Sequence, residues 1–235
     1  MKKEYLNENP SVGVVIRTFN SEKYIIESIN SVVEQNYSPM EIVVVDGGSS
    51  DKTVEIIKSN YPQIKIVNQQ KKGLGGAAQD GIDALDSDLI AFQDSDDIWT
   101  PGRLAKMVQA LLLDKHLAAV LSAVEHFLSH ELNEMGNKHL LIHEGLQPGF
   151  GLPALLIHRR VFAEIGPFTE GYSYGEYIDF IDRFRRKGMQ IKQLQFSGLK
   201  RRVHNTNYTQ TNDVNPNMLK VLQMVINRRR NSTDS

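Results

Sequence analysis

The sequence contains no cysteine, so the chain can form no disulfide, hold no thiolate-bound metal and offer no cysteine nucleophile. That absence fits a reducing compartment. Long apolar runs are missing too: none approaches the roughly 18 residues a helix needs to cross a bilayer. The opening stretch, Met1-Lys-Lys-Glu-Tyr-Leu-Asn-Glu-Asn-Pro10, has basic residues but lacks the apolar segment of a secretory signal. No transmembrane segment and a cytoplasmic location are therefore expected. Net charge is close to zero, at −1, and no nucleic-acid partner is expected. The charge is uneven, however. Arg183, Arg185, Arg186, Lys187, Lys192, Lys200, Arg201, Arg202, Lys220, Arg228, Arg229 and Arg230 face only Asp213 and Asp234 in the last stretch. Such a basic end reads most simply as a solvated face.

What is present is an ordinary soluble composition, 40% hydrophobic and 23% charged, over 235 residues. That length supports one substantial core, and no linker, repeat or low-complexity segment divides it. The most informative stretch is Phe92-Gln-Asp-Ser-Asp-Asp-Ile-Trp99, three carboxylates following the apolar run Leu89–Phe92. Buried strands rarely tolerate an unpaired carboxylate. Asp94, Asp96 and Asp97 are therefore expected just past a strand's carboxyl end, where α/β proteins bind ligands. Clustered carboxylates suit a hard divalent cation, Mn²⁺ or Mg²⁺, bridging to phosphates. The simpler alternative is a helix cap by Asp97 or Thr100, which accounts for one acid and not three.

The first hundred residues alternate strand and helix patterns. Strands are expected at Val12–Ile16, Ile42–Val45, Ile64–Val67 and Leu89–Phe92, with helices between them, the first capped by Ser21 and the third following a Gly-rich turn at Gly73–Gly76. All-apolar strands alternating with helices predict one α/β domain, a mostly parallel central sheet with helices on both faces. Thr18, Phe19, Asn20, Asp46 and Asp94–Asp97 then fall on one rim. The second half reads as a helix at Arg103–Leu113, a strand at His116–Glu125 and a long loop or lid at His126–Gln147. A strand at Gly151–His158, a helix at Glu176–Lys187, a strand at Leu199–Val203 and a basic helix at Met218–Arg230 follow.

Ile16-Arg-Thr-Phe-Asn20, Val45-Asp-Gly-Gly-Ser-Ser-Asp-Lys-Thr53, Gly73-Leu-Gly-Gly-Ala-Ala78, Phe92–Trp99 and Leu156–Phe168, in this order, resemble the family 2 glycosyltransferases of GT-A fold. The resemblance covers roughly residues 11–208, leaving 1–10 as an extension and 209–235 as a basic helix and tail. It implies a single Rossmann-like GT-A domain, a nucleotide-diphosphate sugar donor and a divalent cation. Carried over by position, Thr18, Phe19 and Asn20 line the base, and Asp46 accepts from base or ribose. Gly73 lies in a stretch that lets backbone approach the donor. Asp96 ligates the metal, with Asp94 on the ribose or behind the ligand. Arg201 and Arg202 match positions near the diphosphate, and His204 matches a late metal-binding histidine. The acceptor stays open: a glycan, a peptide or a small molecule, selected by the His126–Gly151 stretch.

One segment departs from the pattern. Inverting members commonly open the helix near residue 176 with Glu-Asp, the Asp serving as general base. Here Gly175-Glu-Tyr-Ile-Asp-Phe-Ile-Asp182 puts Tyr177 at that position, and tyrosine is a poor base near neutrality. The segment resembles a small stand-alone subset reading Gly-Glu-(Phe/Tyr)-x-Asp. Asp179 is the preferred base on that reading and Glu176 the alternative. Two other functions compete: a degenerate member that binds a nucleotide-sugar or a partner without turnover, and a nucleotidyltransferase. The latter would carry a basic Gly-rich loop after the first strand, which Arg17-Thr-Phe-Asn20 is not.

Overall fold

The computed structural model describes residues 6–134, 144–171, 175–205, 207 and 214–233. Strands and helices alternate through the first half: β1 (Val12–Thr18), α1 (Ile25–Val33), β2 (Met40–Asp46), α2 (Thr53–Asn60), β3 (Lys65–Asn68), α3 (Gly73–Asp83) and β4 (Leu89–Asp94). Then come β5 (Ile98–Trp99), α4 (Arg103–Leu113), β6 (Leu117–Leu128), α5 (His130–Glu134), β7 (Leu155–His158), α6 (Arg160–Ile165), α7 (Glu176–Arg186), β8 (Gln190–Val203) and α8 (Val214–Thr233). The eight strands form one sheet in the order β3-β2-β1-β4-β7-β6-β8-β5. Only β7 and β5 run against their neighbours, so the sheet is mixed but mostly parallel, as its apolar strands predict.

Every residue of the central strand β1 is buried, and Gly13 there admits Leu85, whose Cδ1 lies 2.9 Å from where a Cβ would stand. Helix α1 buries Ile25, Ile29 and Val32, the i, i+4, i+7 face that its sequence pattern predicts. Its start differs from the expected Ser21 cap. Ser21 accepts from Tyr24 and Ile25 through its carbonyl, while its hydroxyl meets Ser95 at 2.6 Å, tying the β1 loop to the β4 loop. Helix α7 is anchored by aromatic packing: Phe180 stacks on Phe168 at 4.7 Å between ring centroids, and Phe168 meets Phe92 of β4 edge-on at 6.1 Å. Burying rings of this size contributes about 1.5–3 kcal/mol each. The polar start of α7 is thereby fixed beside the sheet.

Three further features differ from the sequence reading. Strand β8 begins nine residues earlier than Leu199, at Gln190. It pairs with β6 through register shifts that break its alternation, so the two-residue period is lost from the sequence. The stretch expected to be a loop from His126 is partly ordered: His126–Leu128 complete β6, His130–Glu134 form α5, and Gln147 bridges to Val124. Residues 135–143 of that stretch lie outside the described residues. Finally, the Gly-rich segment is not a turn before a helix. It is the first turn of α3, with Gly73 at φ +82°.

Candidate active site

Parallel register places the expected rim. Thr18 is paired with Asp46, and Arg17 with Asp94, so β1, β2 and β4 end together. Thr18 is buried, and its hydroxyl has no hydrogen-bond partner among the described residues. Phe19 beside it is 61% exposed. Asn20 takes a positive φ of 48°, which a short polar side chain tolerates, and its amide oxygen accepts from Ser50 N at 2.8 Å. Asp46 shapes the neighbouring loop as an Asx turn: its carboxylate accepts from Gly48 N at 3.1 Å, and from Ser49 N at 3.1 Å and Oγ at 2.6 Å.

Asp96 and His204 come from opposite halves of the chain. His204 Nε2 lies 3.0 Å from Asp96 Oδ2, and Asn207 Nδ2 donates to the same oxygen at 3.2 Å. The His204 ring packs on Tyr24, 4.8 Å between centroids. Among the described residues no group of three or more His, Asp or Glu is arranged to hold a metal. The Asp96–His204 pair nevertheless fits two adjacent ligands: atoms each about 2.1 Å from an ion and at right angles stand about 3 Å apart.

Arg202 is engaged rather than open. Its Nε donates to the Asp96 carbonyl at 2.9 Å, its Nη2 pairs with Glu27, and its guanidinium lies 4.7 Å from both the Tyr24 and Phe127 rings. It braces the Asp96 turn from behind. Arg201, half-buried, lies next to it on β8. Asp97, the third acid of the cluster, accepts from Arg202 N at 3.0 Å. Burial, with Asp96 and Asp94 nearby, pushes its carboxyl well above the usual range.

The acids of α7 have very different surroundings. Asp179 is fully buried and accepts from Thr169 Oγ1 at 2.8 Å, Arg183 Nε at 3.0 Å and Arg228 Nη1 of α8 at 2.8 Å. Burial alone would raise its pKa, but Thr169, Arg228 and Arg183 together hold it below the usual carboxylate value. A carboxylate held ionised by two guanidinium groups is a tie between helices and a weak proton acceptor. These partners favour a tie between helices for Asp179 over the role of base expected from the sequence. Asp182 is likewise paired with Arg229, at 2.7 Å, so the described part of α8 docks on α7. Tyr177 is buried, edge-on to the exposed Phe150 at 4.9 Å, and burial pushes its phenol up to about 12.

Glu176, by contrast, belongs to the rim. Its Oε1 accepts from Arg17 Nη1 at 3.1 Å, and Arg17 also grips Asp94 through Nη2 at 2.5 Å and Nε at 3.1 Å. Burial alone would lower the Arg17 pKa, but Asp94 and Glu176 hold it well above its ordinary value. Arg17 is the site residue that sequence reasoning missed. Its one signal was a cation at the end of an all-apolar strand, where burial demands a counterion. The glycines of α3 act by packing. A Cβ on Gly75 would stand 3.0 Å from the Glu176 Cβ, so glycine lets α3 and α7 meet beside this trio.

A mostly parallel sheet whose strand ends gather Thr18, Asp46, an Asp-x-Asp turn and a late histidine is an α/β domain with its polar residues at the carboxyl ends of the strands, the usual place for a ligand site. The model of glycosyl transferase family 2 matches residues 13–191, and the chain belongs to that family. An uncharacterised glycosyltransferase of Nostoc sp. is 37% identical over 102 residues, covering 42% of this chain and 32% of the relative. The Escherichia coli UDP-Glc:alpha-D-GlcNAc-diphosphoundecaprenol beta-1,3-glucosyltransferase is 34% identical over 103 residues, 43% of this chain and 41% of the relative. The chain thus spans less than half the length of these curated relatives. The crystal structure of S. aureus TarS 1-349 in complex with UDP-GlcNAc superposes with a TM-score of 0.70 at 19% identity, covering 92% of this chain and 65% of that one. That likeness establishes the GT-A fold.

Proposed function

We propose that this chain transfers a sugar from a uridine-diphosphate donor to an acceptor hydroxyl, with inversion at the anomeric carbon and with help from a divalent cation. The observation that carries the reading is the convergence of Thr18, Asp46 and Asp94 on one rim, with Asp96 and His204 3.0 Å apart beside it. TarS binds UDP-GlcNAc, and the E. coli relative is named for UDP-Glc, which supports uridine as the base. The lack of cysteine supports a reducing, cytoplasmic setting.

Asp96 Oδ2 and His204 Nε2 would hold the cation, and the imidazole favours Mn²⁺ over Mg²⁺. Held there, a cation would supply the charge neutralisation that makes a nucleoside diphosphate a better leaving group. The remaining work falls to the chain's own groups. Phe19 and the Asn20 loop supply a surface for the base. Asp46 holds its loop in shape, and a carboxylate can still accept from the base or ribose. Asp94 accepts ribose hydroxyls through the oxygen that Arg17 leaves open. Glu176 takes the proton from the acceptor hydroxyl as it attacks.

A second reading, a nucleotide-sugar-binding protein without turnover, is favoured by one observation: the usual base position holds the buried Tyr177. Titration calorimetry with UDP, with and without Mn²⁺, tests the binding shared by both readings. Binding tightened at least tenfold by Mn²⁺ and insensitive to Mn²⁺ in Asp96→Ala is expected. An unchanged Mn²⁺ response in the variant would remove Asp96 from the cation site.

A further inference from the structure

Arg17 touches four elements of the site. It sits on β1, bonds Asp94 of β4 and Glu176 of α7, and reaches the Leu74 carbonyl of α3 at 3.4 Å. Its side chain is only 7% exposed, so its charge has no recourse to water and depends on these partners. Both bonds to Asp94 land on Oδ1, and the bond to Glu176 lands on Oε1. Among the described residues no hydrogen bond reaches Asp94 Oδ2 or Glu176 Oε2. Each acid therefore keeps one oxygen tied to the guanidinium and one open.

We propose, resting on the transferase reading above, that Arg17 is the positioning residue of the reaction: one guanidinium sets the spacing between the donor-side carboxylate Asp94 and the acceptor-side carboxylate Glu176. The planar fork of arginine suits this role, because Nε and Nη2 face one acid while Nη1 faces the other. A lysine has the charge without the fork. The neighbouring packing serves the same end. Gly75 lets α3 lie against Glu176, and the Phe168–Phe180 stack holds α7 so that Glu176 meets Arg17 and does not swing free. Transfer depends steeply on such placement, since a misplacement of about 1 Å can cost 10²-fold. Arg17 touches neither donor nor acceptor on this account. It acts through the two acids.

The test needs no acceptor. Release of UDP from UDP-glucose and UDP-N-acetylglucosamine by water is measured for wild type, Arg17→Met, Arg17→Lys, Glu176→Gln and the Arg17→Met/Glu176→Gln double variant, with UDP affinity measured in parallel. Arg17→Met and Glu176→Gln should each slow release by roughly 10²–10⁴-fold, the range for losing a general base. The double variant should be no slower than the worse single one, because both remove the same function. Arg17→Lys should fall between wild type and Arg17→Met. UDP affinity should stay within about threefold in Glu176→Gln and fall by no more than about tenfold in the Arg17 variants, through Asp94, far less than turnover. Losses that multiply in the double variant overturn the coupling, as does UDP affinity falling in step with turnover, the mark of a merely structural role. If Arg17→Met fails to fold by circular dichroism, Arg17→Lys decides: release equal to wild type refutes the need for the fork. A wild type that binds UDP but releases none overturns the transferase reading and the positioning role with it. Turnover by wild type matched by Arg17→Met overturns the positioning role alone.

Discussion

Replacing Asp179 with Asn separates a tie between helices from a catalytic base. The side chain is fully buried and sits between Arg183 and Arg228, with Thr169 donating as well. Asn keeps the shape but removes the charge, leaving two guanidinium groups without their shared counterion. Breaking a fully buried pair costs about 3–5 kcal/mol. The Arg183 and Arg228 side chains retain 17% and 30% exposure, and Arg183 still donates to the Ile165 carbonyl at 2.7 Å. The expected loss is therefore nearer 2–4 kcal/mol, or roughly 5–12 °C in melting temperature for a domain of this size. Because the folded carboxyl is held below its unfolded value, this stabilisation is present above the unfolded pKa, about 3.9, and is lost as pH falls through the lower folded value. The gap between wild type and variant should thus be full at neutral pH and shrink on acidification. Thermal melts at several pH values, with UDP affinity as a control for the site, make the measurement. A melting temperature within about 2 °C of wild type, together with abolished UDP release from a UDP-sugar, would refute this account and return Asp179 to the role of base.

Two further outcomes are expected. Asp46→Ala should cost about 1–3 kcal/mol in urea unfolding, because the amides of Gly48 and Ser49 lose their acceptor, and should weaken UDP binding about tenfold. Unchanged stability would show that the Asx turn is dispensable. His158 is buried on β7, and burial, with Arg160 next, pulls its pKa down to about 4. The unfolded imidazole then binds its proton first, so wild type should lose up to about 3 kcal/mol more than His158→Gln as pH falls from 6.5 to 4. Parallel acid-unfolding curves for the two proteins would contradict that.

The fold was legible where burial leaves a plain trace. Val12–Ile16, Ile42–Val45 and Leu89–Phe92 are apolar runs because their strands lie inside the sheet, and Asp46 after the second and Asp94 after the third mark the rim because an unpaired carboxylate is costly within the sheet. Strand β8 was half hidden: Gln190, Lys192 and Gln193 mix with Ile191 and Leu194, and shifts in register against β6 erase the alternation. The site was legible residue by residue but not in its connections. Asp96 and His204 are 108 positions apart, and Arg17 and Glu176 are 159 apart, so only the folded chain shows which groups touch. Asp179 illustrates the converse. A carboxylate three residues along a helix from another looks catalytic until Thr169 and Arg228, from outside that helix, are seen to occupy it.

Release of nucleotide from radiolabelled UDP-sugars is the most direct test of the central claim. With Mn²⁺ present, wild type should release UDP from at least one of UDP-glucose and UDP-N-acetylglucosamine, even slowly and with water as acceptor. Removing Mn²⁺ with a chelator should stop it, and Asp96→Ala should lose it while melting within about 2 °C of wild type, since Asp96 lies on a partly exposed turn outside the core. Release that persists unchanged in Asp96→Ala, or none from either donor by a folded wild type, would contradict a cation-assisted sugar transfer at this rim.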